Sequence, residues 1–208
     1  MNNINSIFNT GGKECALEMI FVEGTQGATF LFGEETDKKA ISIKDFYISK
    51  YPVTQSLWNC ITGNKNNAHR RDNNKPVRQV SWNDITGKDG FLEKINSVNT
   101  ANKNAVFRLP SETEWEYAAR GGKNWPDDFL YSGSNDIDKV AWYQQNSNDE
   151  VKDAGLKAPN QLGIYEMNGN IWEWCGDCYD PDTNKIPRDG SPLNGEGSER
   201  VLRGGLPS

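Results

Sequence analysis

One histidine, four cysteines and three methionines are all that this 208-residue chain offers as imidazole or sulfur ligands. That scarcity rules out a three-histidine iron centre, and any Ser-His-Asp triad would have to be built on His69 alone. Positive charge is scarce too. Lys and Arg number 23 against 29 Asp and Glu, a net charge of -6, and no basic stripe answers a phosphate backbone, which argues against a nucleic-acid partner. No apolar run approaches the ~18 residues that span a bilayer. The first residues, Met1 to Asn5, form neither a cationic nor an apolar signal region, so the chain reads as soluble and cytoplasmic. Cys15, Cys60, Cys175 and Cys178 are too few and too unevenly spaced for a disulfide framework, which agrees with a reducing compartment.

What the chain does have is aromatic side chains and turn formers: seven Trp, eight Phe and seven Tyr beside 20 Gly and nine Pro. The aromatics supply enough apolar surface for a core, while Gly and Pro pre-set the backbone for turns rather than long helices. No repeat or linker divides the sequence, so it is expected to form one domain over residues 13–208 behind a short N-terminal arm at 1–12. Strands are expected at Leu17 to Val22, at Thr29 to Phe32, and over Ile41 to Ile48 as a single half-buried strand. Thr54 is placed to cap a helix carrying Leu57, Trp58 and Ile61. Further helical patterns lie around Asp84 and at Phe91 to Val98, interrupted by Gly87 to Gly90. In Arg108 to Gly122, Ser111 and Glu114 form a capping box, Pro110 blocks backward extension and Gly121 suits a left-handed stop, which predicts a helix over about 112–120. Glu112, Glu114 and Glu116 are then explained by the helix dipole rather than by acid-base work. Arg200 to Arg203 reads as a strand before the Gly204-Gly205 break.

Three blocks in this order, Arg108 to Gly122, Pro159 to Trp174 and Arg200 to Gly205, resemble the formylglycine-generating enzyme family, also called the sulfatase-modifying-factor domain. Weaker collinear matches at Tyr51 to Thr54, Pro76-Val77 and Val80 to Trp82 extend the likeness from about residue 16 to 205. The resemblance implies an α+β fold, a formylglycine-generating-enzyme-like variant of the C-type lectin fold with little regular secondary structure. It implies a superfamily holding copper-dependent sulfatase-activating oxidases, iron-dependent sulfoxide synthases and non-catalytic binders such as the variable proteins of diversity-generating retroelements.

Oxygen donors crowd the stretch from Gly163 to Asp182: Glu166, Asn168, Asn170, Glu173, Asp177, Asp180 and Asp182. A hard cation needs several oxygens converging, and Gly lets carbonyls turn inward. The family binds calcium in this loop. Carried over, Glu166 and Glu173 supply side-chain oxygens, Gly169 and Ile171 supply carbonyls, and Trp172 and Trp174 pack beneath. A second family calcium site, near Val140 to Asp153, lacks its usual Asn, where Ala141 or Trp142 stands. Cys175 to Cys178 has dithiol spacing, but neither the further soft ligands nor the βαβ setting that would give it chemistry, and it is assigned to packing. In the family's oxidases the copper-binding cysteine pair follows the Arg-Val-Leu-Arg-Gly-Gly block, which is succeeded here only by Leu206-Pro207-Ser208. Neither copper nor iron is therefore expected. The leading expectation is a non-catalytic ligand-binding or display module, and the alternative is a truncated formylglycine-generating oxidase acting on a sulfatase cysteine. An uncovered strand edge at the end of the block also predicts self-association.

Overall fold

The computed structural model describes residues 2–34, 36–63, 74–99, 105–195 and 197–205. His69, most of the polar stretch 63–75 and Leu206 to Ser208 lie outside the described residues.

The chain opens with β1 (Ile4–Thr10) and β2 (Lys13–Val22), paired antiparallel from Ile4↔Met19 to Thr10↔Lys13. Gly11 and Gly12, at φ 55° and 77°, form the two-residue turn between them, a conformation that a Cβ would penalise in both positions. Residues 4–10, within the stretch expected as a short N-terminal arm, form a sheet strand. Alternation explains it: Ser6 and Phe8 face inward, and Phe8 packs edge-on against Phe107. Two further strands, β3 (Phe30–Phe32) and β4 (Lys39–Ile41), form a separate hairpin, while β5 (Phe46–Ser49) joins β2 on the side away from β1. The single strand expected over 41–48 is therefore two strands in two sheets. The link between them is held as a bend because Thr25 N–H donates to Ile43 O, Ser42 N–H to Arg188 O, and Gly24 N–H to Asp45.

Helices α1 (Gln55–Thr62), α2 (Trp82–Thr86), α3 (Phe91–Val98) and α4 (Glu112–Ala119) start where their caps dictate: Thr54, Ser81 and Ser111 each accept from the backbone N–H three residues on, and Asp84 and Glu114 close reciprocal boxes. Gly90 caps α3 without a side chain. Two single-turn helices follow, α5 (Ile137–Val140) and α6 (Gln144–Ser147), and then an antiparallel pair, β6 (Trp172–Cys178) and β7 (Arg200–Gly204).

Two apolar clusters form the core. One gathers Phe8, Leu17, Trp58, Ile61, Phe91 and Ile95 between the first sheet and α1 and α3, with the Trp58 and Phe91 rings stacked at 5.0 Å. The other surrounds α4 with Val22, Phe30, Ile41, Ile164 and Val201. Every residue of α4 from Thr113 to Ala119 is buried, so the helix runs through the interior. A disulfide joins Cys15 on β2 to Cys60 on α1. Cys15 and Cys60, read as too unevenly spaced for a disulfide framework, are thus paired, because partners 45 residues apart show no local spacing and only the packing of α1 on β2 brings them together.

Candidate functional site

The segment 160–174 is built on two buried asparagines. Asn160 donates to Ala118 O at 2.8 Å and accepts from the N–H groups of Leu162 and Ile164, which anchors the turn to the end of α4. Asn170, fully buried at φ 71°, clamps Lys152 through both backbone groups. Sequence reasoning counted Asn168 and Asn170 as cation donors. Their oxygens are instead engaged by backbone N–H groups, Asn168 by Ser132 and Asn170 by Lys152.

Glu166 is 3% exposed. Its Oε1 accepts from Gly155 N–H at 2.8 Å, and its Oε2 is buried without a partner. Glu173, on β6, accepts from Trp115 Nε1 at 3.2 Å through Oε2, while its Oε1 is likewise buried and unpartnered. Burial raises both carboxyls to about 7, and the negative charge of Glu166 adds to the effect at Glu173. Gly169 has no room for a side chain, since a Cβ would lie 2.3 Å from the Trp142 carbonyl oxygen. Its own carbonyl accepts from Ile171 N–H, and the Ile171 carbonyl accepts from Gly205 N–H. Of the predicted site residues, then, the two carboxylates are buried, each with one orphaned oxygen, and the two carbonyls lie in the tight turn between them.

The remaining oxygens of the stretch do other work. Asp177 caps α4 by accepting from Glu112 N–H at 2.7 Å and holds Leu193 N–H at 2.8 Å. Asp180 and Asp182 organise their own turns and the ion pair to Lys185. Among the described residues no three His, Cys, Asp or Glu side chains gather as a metal cluster. Of the expected Trp anchors, Trp174 donates to Val80 O at 3.2 Å, whereas Trp172 is 48% exposed. Alternation along β6 sends the two rings to the same face.

A second feature was not legible in sequence. A cleft of about 960 Å³ is floored by α4 and β7 and walled by the β3–β4 turn, the 128–133 segment and the 177–181 turn. Arg203 reaches down from β7 to Glu112 and Glu116 and lies over Trp115, while Arg120 pairs with Glu116 at 2.9 Å. Glu114 is held from the other side by Arg108 through two bonds of 2.7 Å. The acids of α4, read from sequence as dipole partners, are thus ion-paired to arginines, Glu112 and Glu116 to the distant Arg203 and Glu114 and Glu116 to the nearby Arg108 and Arg120, and burial raises the Glu112 carboxyl despite Arg203. Exposed Phe129, Leu130 and Tyr179 line the same cleft. Both remaining cysteines are buried free thiols: burial pushes Cys175 far above its ordinary range, and Cys178 donates to Gly195 O at 3.1 Å and receives a bond from Arg200.

Several proteins resemble the chain in sequence or fold. The chain is 30% identical over 224 residues to the chaperone protein LppX of Paenibacillus barcinonensis, covering 86% of this chain and 79% of that one. It is 35% identical over 144 residues to the formylglycine-generating enzyme of Streptomyces coelicolor, covering 64% of this chain but only 42% of the enzyme. Treponema denticola variable protein 1 superposes with a TM-score of 0.74 at 24% identity over 98% of this chain and 88% of its own, a likeness of fold. The α+β architecture is accordingly the formylglycine-generating-enzyme-like, C-type-lectin-like fold. No helix among the described residues is long and apolar enough to cross a membrane. With residues 8–206 matching it, the chain belongs to the sulfatase-modifying factor enzyme 1-like domain family.

Proposed function

We propose that this chain is a non-catalytic, ligand-binding member of the family that receives its ligand in the cleft over α4 and β7. The observation that supports the reading is the state of the thiols around that cleft. Copper(I) chemistry asks for a pair of soft thiolates. Cys178 is the cysteine that lines the cleft among the described residues, and its sulfur is occupied by Gly195 and Arg200; Cys175 is sealed beneath, and Cys15 and Cys60 are bonded to each other. The fold shared with the Treponema variable protein is in keeping with a display role of the retroelement type. The identity to the Streptomyces enzyme favours the alternative, a part of a formylglycine-generating oxidase.

Calcium belongs to the same proposal. Glu166 and Glu173 would hold it through side-chain oxygens, and Gly169 and Ile171 through carbonyls. Two buried carboxylates with one unpartnered oxygen each are what an oxygen-binding cation satisfies. Bound there, the ion would supply charge compensation and fix the 163–174 segment, and no chemical step is assigned to it.

The deciding experiment incubates the protein with copper(I), oxygen and a sulfatase-derived cysteine peptide and examines the peptide by mass spectrometry. Unchanged cysteine is the expected result; formylglycine would establish the oxidase reading instead.

A further inference from the structure

A second cavity, of about 470 Å³, is bordered by β2, β5, α1, α3 and β6. Met167 is the one described residue that lines both it and the cleft over α4, so the two spaces are separate. The lining follows from the sequence: alternation along β2 turns Leu17 and Met19 to one side, and the apolar stripes of α1 and α3 supply Trp58, Phe91 and Ile95. Protein interiors keep few voids larger than a water molecule, and water is held poorly where the walls are apolar. A space of this size lies instead within the ~300–1,000 Å³ range of small-molecule sites.

Burial selects the kind of molecule that can occupy it. Leu17, Trp58, Phe91 and Ile95 are buried, while Val106, which also lines the cavity, is 74% exposed, so the walls run inward from an exposed apolar rim. The folded surface of another protein meets exposed side chains, whereas a small molecule can reach buried ones. Charge narrows the choice further. The charged side chains of the lining are Asp45, Arg108, Glu114 and Glu173. Arg108 holds Glu114 through two bonds of 2.7 Å, and Asp45 accepts from Gly24 N–H and from Gln26. Glu173 accepts from Trp115 and is the carboxylate assigned above to calcium. An ionised ligand would shed its water here without finding a free counter-charge.

We infer that this cavity binds an uncharged small molecule with an aromatic, largely hydrocarbon body. Rings line it from four elements, among them Tyr47 on β5, Trp58 on α1, Phe91 on α3 and Trp174 on β6, and they offer faces and edges to a further ring. The hydrophobic effect would carry the affinity, and the lack of a free charge would carry the selectivity. The inference goes beyond the reading of the cleft and stands whether or not the cleft receives a ligand.

The probe is N-phenyl-1-naphthylamine, which is uncharged at neutral pH and whose emission rises in apolar surroundings. Titrated with the full chain, it should bind saturably at one molecule per chain and raise the melting temperature. The related 8-anilino-1-naphthalenesulfonate has the same rings and a fixed negative charge, and it should bind about tenfold more weakly. Val53→Phe adds bulk to the lining and should weaken the neutral probe about tenfold. Val106→Asp is the second variant: a residue so exposed can change without loss of the fold, and a charge at the rim should also weaken binding. Leu130→Asp alters the cleft over α4 instead and should leave the affinity for the probe unchanged. Absence of saturable binding, equal binding of the sulfonate, an unchanged affinity in both Val53→Phe and Val106→Asp, or loss of binding in Leu130→Asp would each overturn the inference. So would one probe per two chains at the interface of a dimer, which would make a second copy part of the site. Formylglycine formation, the outcome that overturns the broader reading, leaves all of these results unmoved.

Discussion

Arg203 on β7 and Glu116 on α4 form an ion pair in which the guanidinium also lies 5.2 Å from the centre of the Trp115 ring. The same carboxylate accepts from Gly33 N–H at 3.0 Å and pairs with Arg120. One side chain thereby joins α4, β7 and the β3–β4 turn. Glu116→Ala removes one acceptor from each of two arginines and the acceptor of the Gly33 N–H, while Arg203 keeps Glu112 and Arg120 keeps Gly33 O. Because both arginines reach solvent, the loss is expected at about 2 kcal/mol, less than for a fully buried pair. Urea unfolding should show that loss, with Glu116→Gln intermediate; a Glu116→Ala protein as stable as the parent would show that the network contributes nothing.

The Cys15–Cys60 disulfide closes a loop across a sequence separation of 45. Chain-entropy reasoning assigns a closure of that size about 4 kcal/mol. Cys15→Ser, Cys60→Ser or added reductant should each lower the melting temperature by a similar amount, and combining variant with reductant should add nothing more. Thiol titration of the untreated, denatured protein should count two free cysteines; four would show that the bond does not form.

Glu166 and Glu173 sit at about 7 because burial disfavours their charged forms. Without calcium the folded state holds protons that the unfolded chain releases near its ordinary carboxyl values, so stability is fully present below about pH 4.3 and falls as pH rises toward about 7. Calcium competes with those protons. Melting curves in chelator should therefore drop between about pH 5 and pH 7.5, and added calcium should raise the melting temperature more at the higher pH. Isothermal titration without calcium binding at neutral pH would remove the site from the proposal.

Gly169→Ala tests the turn itself. A Cβ there meets the Trp142 backbone oxygen at 2.3 Å, which no rotamer change relieves. Overpacking of this kind costs about 1–3 kcal/mol. Gly163→Ala is the comparison: its φ of +85° is strained for alanine, but the space around it is open, and about 1 kcal/mol is expected. Calcium affinity should fall for Gly169→Ala and not for Gly163→Ala. Equal behaviour of the two variants would contradict the close approach.

Cys175 and Cys178 are expected to alkylate far more slowly in the native protein than a model thiol at neutral pH. Burial suppresses the Cys175 thiolate and the Gly195 and Arg200 contacts occupy Cys178. Rapid labelling of either in folded protein would reopen a redox role.

What the sequence determined by itself was local or periodic. The capping box at Ser111, the stop near Gly121, the Thr54 cap and the Arg200 to Arg203 strand need only neighbours a few residues away, and the three ordered blocks identified the family. Glu166 and Glu173 were singled out through that resemblance, and calcium at them is a proposal. Tertiary structure decided the rest, because those features depend on partners far apart in the chain. Alternation in residues 4–10 acquires a meaning only once β2 offers Ala16, Leu17 and Met19 opposite. Cys15 meets Cys60 only when α1 docks on β2. The seven oxygens between Gly163 and Asp182 look like one cluster in sequence, yet Asp177 caps a helix that starts 65 residues earlier and Asn170 holds Lys152. The acids of α4 find Arg203 from 87 and 91 residues away, and with it the cleft. A side chain carries its capacity for a bond in its chemistry, but which bond it makes is settled by the backbone that packing brings within reach.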